Sequence, residues 1–128
     1  MGRQINVDPR TVIKQNRHFR LGHGTNFEIF EYQSVDETPM AQPKNSDAGG
    51  HHLAFYVDDL DLAIEHLRSH GVEVLGVPVS SKAFATGQRW IYFLAPWGMQ
   101  FELVSYPNGK EYESDAPVKL WSPKNPAE

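Results

Sequence analysis

The stretch His51-His52-Leu53-Ala54-Phe55-Tyr56-Val57-Asp58-Asp59-Leu60 decides how the rest of the chain is read. Side chains of an extended strand point alternately to its two faces. Leu53, Phe55 and Val57 therefore share one face, and His52, Ala54 and Tyr56 share the other. Asp58 and Asp59 then offer a carboxylate cap, and Leu60, Ala63, Ile64 and Leu67 follow at helical spacing until Gly71 supplies a stop. The spacing predicts a helix from Leu60 to about His70 whose apolar stripe covers the Leu53, Phe55 and Val57 face. The His52 face is left to look elsewhere. Val72 to Val79, Arg89 to Leu94, and Met99 to Tyr106 after the turn Ala95-Pro96-Trp97-Gly98 read as three further strands. The order is β-α-β-β-β.

Upstream, Arg17 to Leu21 and Asn26 to Tyr32 are aromatic and β-branched enough for strands, with Gly22-His23-Gly24-Thr25 as a hairpin turn between them. Ser34 to Gly50 carries Pro39, Pro43, Asn45, Ser46, Asp47, Gly49 and Gly50 with little apolar content, the composition of a loop or linker. The tail from Pro107 to Glu128 is rich in proline and charge, with Leu120 and Trp121 as its strong apolar anchors, and is expected to be irregular.

The whole chain has 128 residues, 40% of them hydrophobic, which suffices for one packed domain or two small modules sharing a core. Its net charge is -4 and its 12 Lys and Arg residues are scattered, which argues against nucleic acid as a partner. Cysteine is absent, so disulfides and thiol nucleophiles are excluded and His, Asp and Glu remain as metal ligands. The segment from Met1 to Asn6 has no apolar run of the kind a signal peptide or membrane span needs. A soluble protein in a cytoplasmic setting is expected, with no membrane partner.

The two halves repeat. Gly24-Thr-Asn-Phe27-Glu28-Ile-Phe-Glu-Tyr32 aligns with Gly98-Met-Gln-Phe101-Glu102-Leu-Val-Ser-Tyr106 at a constant spacing of 74 positions (24 to 98, 28 to 102, 19 to 93). The counterpart of the His52 strand would then fall upstream of Met1. The first unit is thus expected to lack its opening strand and helix, through truncation or through replacement by another subunit. Arg10 to Lys14 reads as the lead-in to its remaining strands.

Gly49 to Leu60, Ala63 to Gly71, Tyr92-Phe93-Leu94-Ala95-Pro96-Trp97-Gly98 and Phe101-Glu102-Leu103 together resemble a complete module of the vicinal-oxygen-chelate superfamily, the glyoxalase, bleomycin-resistance and dioxygenase family. The resemblance implies an α+β fold of paired βαβββ modules whose curved sheets enclose a metal site. On this reading residues 1–35 are the closing part of a first, incomplete module, 36–48 a linker, 49–106 a complete second module and 107–128 an irregular tail. Family members commonly have Asp at the place of Trp97 and an amide such as Asn at that of Gln100, departures that touch no ligand.

His52 and Glu102 sit between large apolar neighbours, Leu53 and Phe55 nearby for one, Phe101 and Leu103 for the other. A single glutamate alternating with apolar residues ordinarily marks a solvent-facing strand position. The recurrence of Glu28 at the equivalent place, and a family pattern that sets His52 beside Glu102, favour a metal site instead. The resemblance implies His52, Glu102 and Glu28 as ligands of a divalent ion (Zn, Ni, Co, Mn, Mg or Fe), with the absent strand expected to add a second imidazole. By strand alternation Tyr56, Trp90, Tyr92, Phe30 and Tyr32 fall on the ligand faces, where they either wall a substrate pocket or fill the space between sheets. His51 faces away from His52, His66 and His70 belong to a solvated helix face, and His18 and His23 are left outside the site.

Two glutamates with histidine resemble the glyoxalase and epimerase branch more than the two-His, one-carboxylate iron site of ring-cleaving dioxygenases. The expectation is a metal-dependent lyase or isomerase acting on a small carbonyl or acyl compound, with Glu102 or Glu28 as the proton-transfer base. The rival is a bleomycin-resistance-like protein that binds a small molecule without chemistry. An unpaired edge on the first hairpin further predicts a homodimer.

Overall fold

In a computed structural model, which describes residues 4–35 and 41–127, Leu60 and Ile64 lie one helical turn apart and are 2% and 4% exposed. They belong to α1 (Leu60–Ser69), which begins where predicted. The Asp59 side chain accepts a hydrogen bond from the backbone N–H of Leu62 at 2.9 Å, satisfying one of the donors that a helix start leaves open. At the other end Gly71 adopts φ +72, and the N–H groups of Gly71 and Val72 donate to the carbonyls of Arg68 and Leu67, both at 3.0 Å. That pattern needs a left-handed residue after the last turn, which glycine takes without a steric penalty.

The chain divides into two compact units, Met1–Met40 with Trp121–Glu128, and Ala41–Leu120. The second holds α1 and four strands: β3 (Leu53–Tyr56), β4 (Val74–Ser80), β5 (Arg89–Leu94) and β6 (Gln100–Ser105). They form one sheet in the order β3-β6-β5-β4, with β3 parallel to β6 and the other pairs antiparallel. The element order is the predicted βαβββ. Ile91, Leu103, Leu60 and Ile64 form the buried core, and Phe55, Val57, Ala63, Leu67, Val74 and Phe93 pack around it. All strand members of that list lie on the α1 side of the sheet, so the helix takes the face that alternation assigned to it.

The edge strand β4 slips register between Leu75 and Val79, across Gly76-Val77-Pro78. A proline has no N–H to give to a ladder and is tolerated at such an irregular edge, where the break also discourages pairing with foreign strands. β4 starts at Val74, two residues later than the sequence reading, because Val72 is committed to closing the helix. Two short 3-10 turns, Ala83–Ala85 and Glu111–Ser114, were not legible in the apolar pattern because neither buries a residue.

The first unit is a hairpin of β1 (Val12–Arg20) and β2 (Asn26–Gln33). β1 begins five residues before the expected Arg17, since Val12 and Ile13 already pair with Gln33 and Tyr32. A register shift between Ile13 and Gln15 separates that stretch from the regular ladder, which is why it read as a lead-in. The Trp121 ring lies against Gly24 in the turn. Of the segment 36–48 read as a linker, 36–40 lie outside the described residues, and Lys44 to Gly50 makes tight turns through Asp47 N–H to Lys44 O (3.0 Å) and Gly50 N–H to Asp47 O (2.8 Å). Among the described residues no helix is long and apolar enough to cross a membrane.

Candidate functional site

The sheet face opposite α1 holds the candidate polar residues of the second unit. In the β3–β6 ladder Ala54 stands opposite Glu102, and in the β5–β6 ladder Tyr92 does. Glu102 is therefore flanked on one side by a methyl group and on the other by a phenol. His52, two residues before Ala54 and on the same face, reaches across so that its Nε2 lies 3.0 Å from Glu102 Oε2. The approach to β3 is fixed by Gly50, where a Cβ would come within 1.9 Å of the Lys44 carbonyl oxygen, so the loop closes only around glycine.

The pair is half sheltered: the Glu102 side chain is 12% exposed and that of His52 35%. The His52 ring meets the Tyr92 ring edge-on, centroids 5.1 Å apart, and Tyr92 in turn meets Trp90 at 5.2 Å. Burial first, and then the Glu102 carboxylate, holds the Tyr92 phenol above its ordinary pKa, so it stays a hydrogen-bond donor beside the carboxylate. Tyr56 occupies the same face, against the Tyr106 ring at 4.8 Å. Its hydroxyl is buried without a hydrogen-bond partner among the described residues, and burial, then Asp58 and Tyr106, push it up to about 12. A buried hydroxyl in that state stays protonated and acts as a donor, with the Asp58 carboxylate as its charged neighbour.

Glu28 stands in the other unit. Its Oε1 accepts from Asn16 Nδ2 at 3.0 Å and lies 2.6 Å from His18 Nε2, the residue directly opposite it in the hairpin. Phe30 and Tyr32 follow Glu28 on its face of β2 and stack on each other at 5.8 Å. Sequence reasoning left His18 aside; its signal was present in the 74-position repeat, which sets His18 where the second unit has Tyr92 (18 to 92). His51 instead turns its Nδ1 to the Gly49 carbonyl at 3.0 Å, and His66 and His70 pair ring to ring at 4.3 Å on the exposed side of α1.

An imidazole nitrogen and a carboxylate oxygen are the donor types that borderline divalent ions take, and in each unit they lie close enough to share one ion. The structure thus brings together His52 with Glu102, and His18 with Glu28. Among the described residues no three His, Asp or Glu side chains gather into a ready ligand set.

The comparisons with known proteins agree with the fold. The 2-epi-5-epi-valiolone epimerase of an Actinomyces species is 44% identical over 126 residues, 97% of this chain and 68% of that protein. The crystal structure of a glyoxalase family protein from Enterococcus faecalis superimposes with a TM-score of 0.52 at 26% identity, over 75% of this chain and 79% of that one. The protein SMU.1112c does so with a TM-score of 0.55 at 21% identity, over 81% and 86%, a likeness of fold alone. Residues 8–93 match the family model described as Glyoxalase/Bleomycin resistance protein/Dioxygenase superfamily. With its βαβββ module and this match, the chain belongs to that superfamily.

Proposed function

We propose that the protein is an isomerase of the epimerase type, which moves a proton on a carbon next to a carbonyl of a small molecule and depends on a divalent metal ion. The observation that carries the reading is the His52–Glu102 pair, 3.0 Å apart on the sheet face opposite α1 with the Tyr92 ring against His52. The 44% identity to a protein named as an epimerase supports it over lyase chemistry. His52 and Glu102 in the second unit, and Glu28 in the hairpin unit, are the residues we assign to metal binding, and a bound divalent ion would polarise the carbonyl and acidify the adjacent C–H.

The chain's own residues do the rest. A glutamate carboxylate accepts the proton as the C–H bond breaks, and a proton returned to the other face of that carbon completes the inversion with no net redox change. In the second unit that carboxylate is Glu102. The Tyr92 hydroxyl, kept protonated by burial and by Glu102, donates to substrate oxygens, and Tyr56 and Trp90 offer aromatic walls. Phe30 and Tyr32 supply aromatic surface beside Glu28. We further propose that the chain works as a homodimer, because Val12, Phe19, Phe30, Tyr32 and Val35 leave much apolar surface of the hairpin unit exposed.

The test is proton exchange. Incubated in D2O with a divalent ion and 2-epi-5-epi-valiolone, the compound in the relative's name, the protein should incorporate deuterium at the epimerised carbon, and Glu102→Gln should slow this by about 100-fold or more. Saturable binding of the compound with no exchange would overturn the enzymatic reading in favour of a binding protein.

A further inference from the structure

The hairpin unit holds a His–carboxylate contact that the assigned ligand set does not use. His18 and Glu28 are cross-strand partners, with Nε2 and Oε1 2.6 Å apart. At the equivalent place in the second unit, Tyr92 faces Glu102 and the imidazole comes from outside the β5–β6 ladder, from His52. In the hairpin the imidazole is instead built into the ladder itself. Both units therefore present one imidazole nitrogen against one glutamate oxygen.

We propose that His18 is a metal ligand, paired with Glu28 as His52 is paired with Glu102; the proposal rests on the metal-dependent reading above. A tetrahedral zinc-like ion with bonds of about 2.0–2.2 Å holds neighbouring donors roughly 3.3–3.6 Å apart. Separations of 2.6 and 3.0 Å therefore widen by up to about 1 Å to admit an ion. Both hairpin side chains are substantially exposed, His18 at 64% and Glu28 at 42%, so the pair widens without repacking a core. Asn16 donates to the same Oε1 that faces His18 and leaves Oε2 without a hydrogen-bond partner among the described residues. A carboxylate oriented by an amide neighbour, with an imidazole fixed across the ladder, is the supported arrangement that metal ligands require.

The probe is Zn2+ alone, titrated into the chelator-stripped 128-residue chain while the histidine ring nitrogens are followed by NMR. The proposal expects the His18 ring to shift saturably, and His18→Gln and Glu28→Gln each to weaken Zn2+ binding by more than about tenfold with circular dichroism unchanged. A saturable shift at His52 with none at His18, or unchanged affinity in His18→Gln, overturns the proposal and leaves the metal-dependent reading standing. No saturable shift at either ring removes both.

Discussion

His52 Nε2 lies 3.0 Å from Glu102 Oε2 although the residue opposite Glu102 in the parallel ladder is Ala54. The contact exists because His52 precedes the first paired residue, Leu53, and is free of the register that fixes the strand. It shelters a carboxylate whose side chain is 12% exposed. Removing the imidazole takes one partner from that carboxylate and leaves the Tyr92 phenol beside it, which costs about 0.5–1.5 kcal/mol. His52→Ala should therefore destabilise the metal-free protein in urea, whereas His52→Ala in a Glu102→Gln background should cost markedly less. Equal costs in the two backgrounds would show that the contact carries no coupling.

The core makes a separate prediction. Ile91 is fully buried among Leu60, Ile64 and Leu103, so Ile91→Ala should lose about 2–5 kcal/mol and Ile91→Val about 0.5–1.5 kcal/mol. Phe55, half-buried with its ring 5.4 Å from that of Phe101, belongs at the lower end of the roughly 3–5 kcal/mol range for Phe→Ala. Urea midpoints of the three variants rank the core. If Phe55→Ala proved nearly neutral, the packing of α1 on this face would be wrong.

Tyr56 makes the stability depend on alkaline pH. Its folded pKa, pushed up to about 12, stands above the unfolded value near 10, so between these values the unfolded chain has already lost the proton that the folded one keeps. The stability tied to this group is fully present below pH 10 and is lost as pH rises from there through about 12. Tyr56→Phe should flatten the fall in stability across that window. Phenolate absorbance of the folded protein should likewise retain one late-titrating tyrosine that the variant lacks.

Association is the fourth expectation. At micromolar concentration light scattering should read a dimer, and replacing exposed Phe19 with serine should weaken it, because an apolar hairpin face costs free energy in water. A stable wild-type monomer would reject the dimer.

Local pattern carried what local physics sets. Two-residue alternation placed Phe55 toward the helix and Tyr56 away from it, helical spacing placed Leu60 and Ile64, and Asp59 and Gly71 closed the helix at both ends. The repeat singled out Glu28 and Glu102. Each of these depends on neighbours within a turn or a strand, or on comparison of the chain with itself, and so survives without knowledge of the fold. The pairing of side chains from distant segments does not, and that of His52 with Glu102 was reached in the sequence only through the family resemblance. His18 meets Glu28 only in the hairpin register that the turn from Leu21 to Thr25 sets, and a slip by one residue would send one of the two to the opposite face. His52 meets Glu102 only because β3 lies parallel to β6 at the sheet edge, an arrangement made by the packing of α1 across the sheet and by no feature of either strand alone.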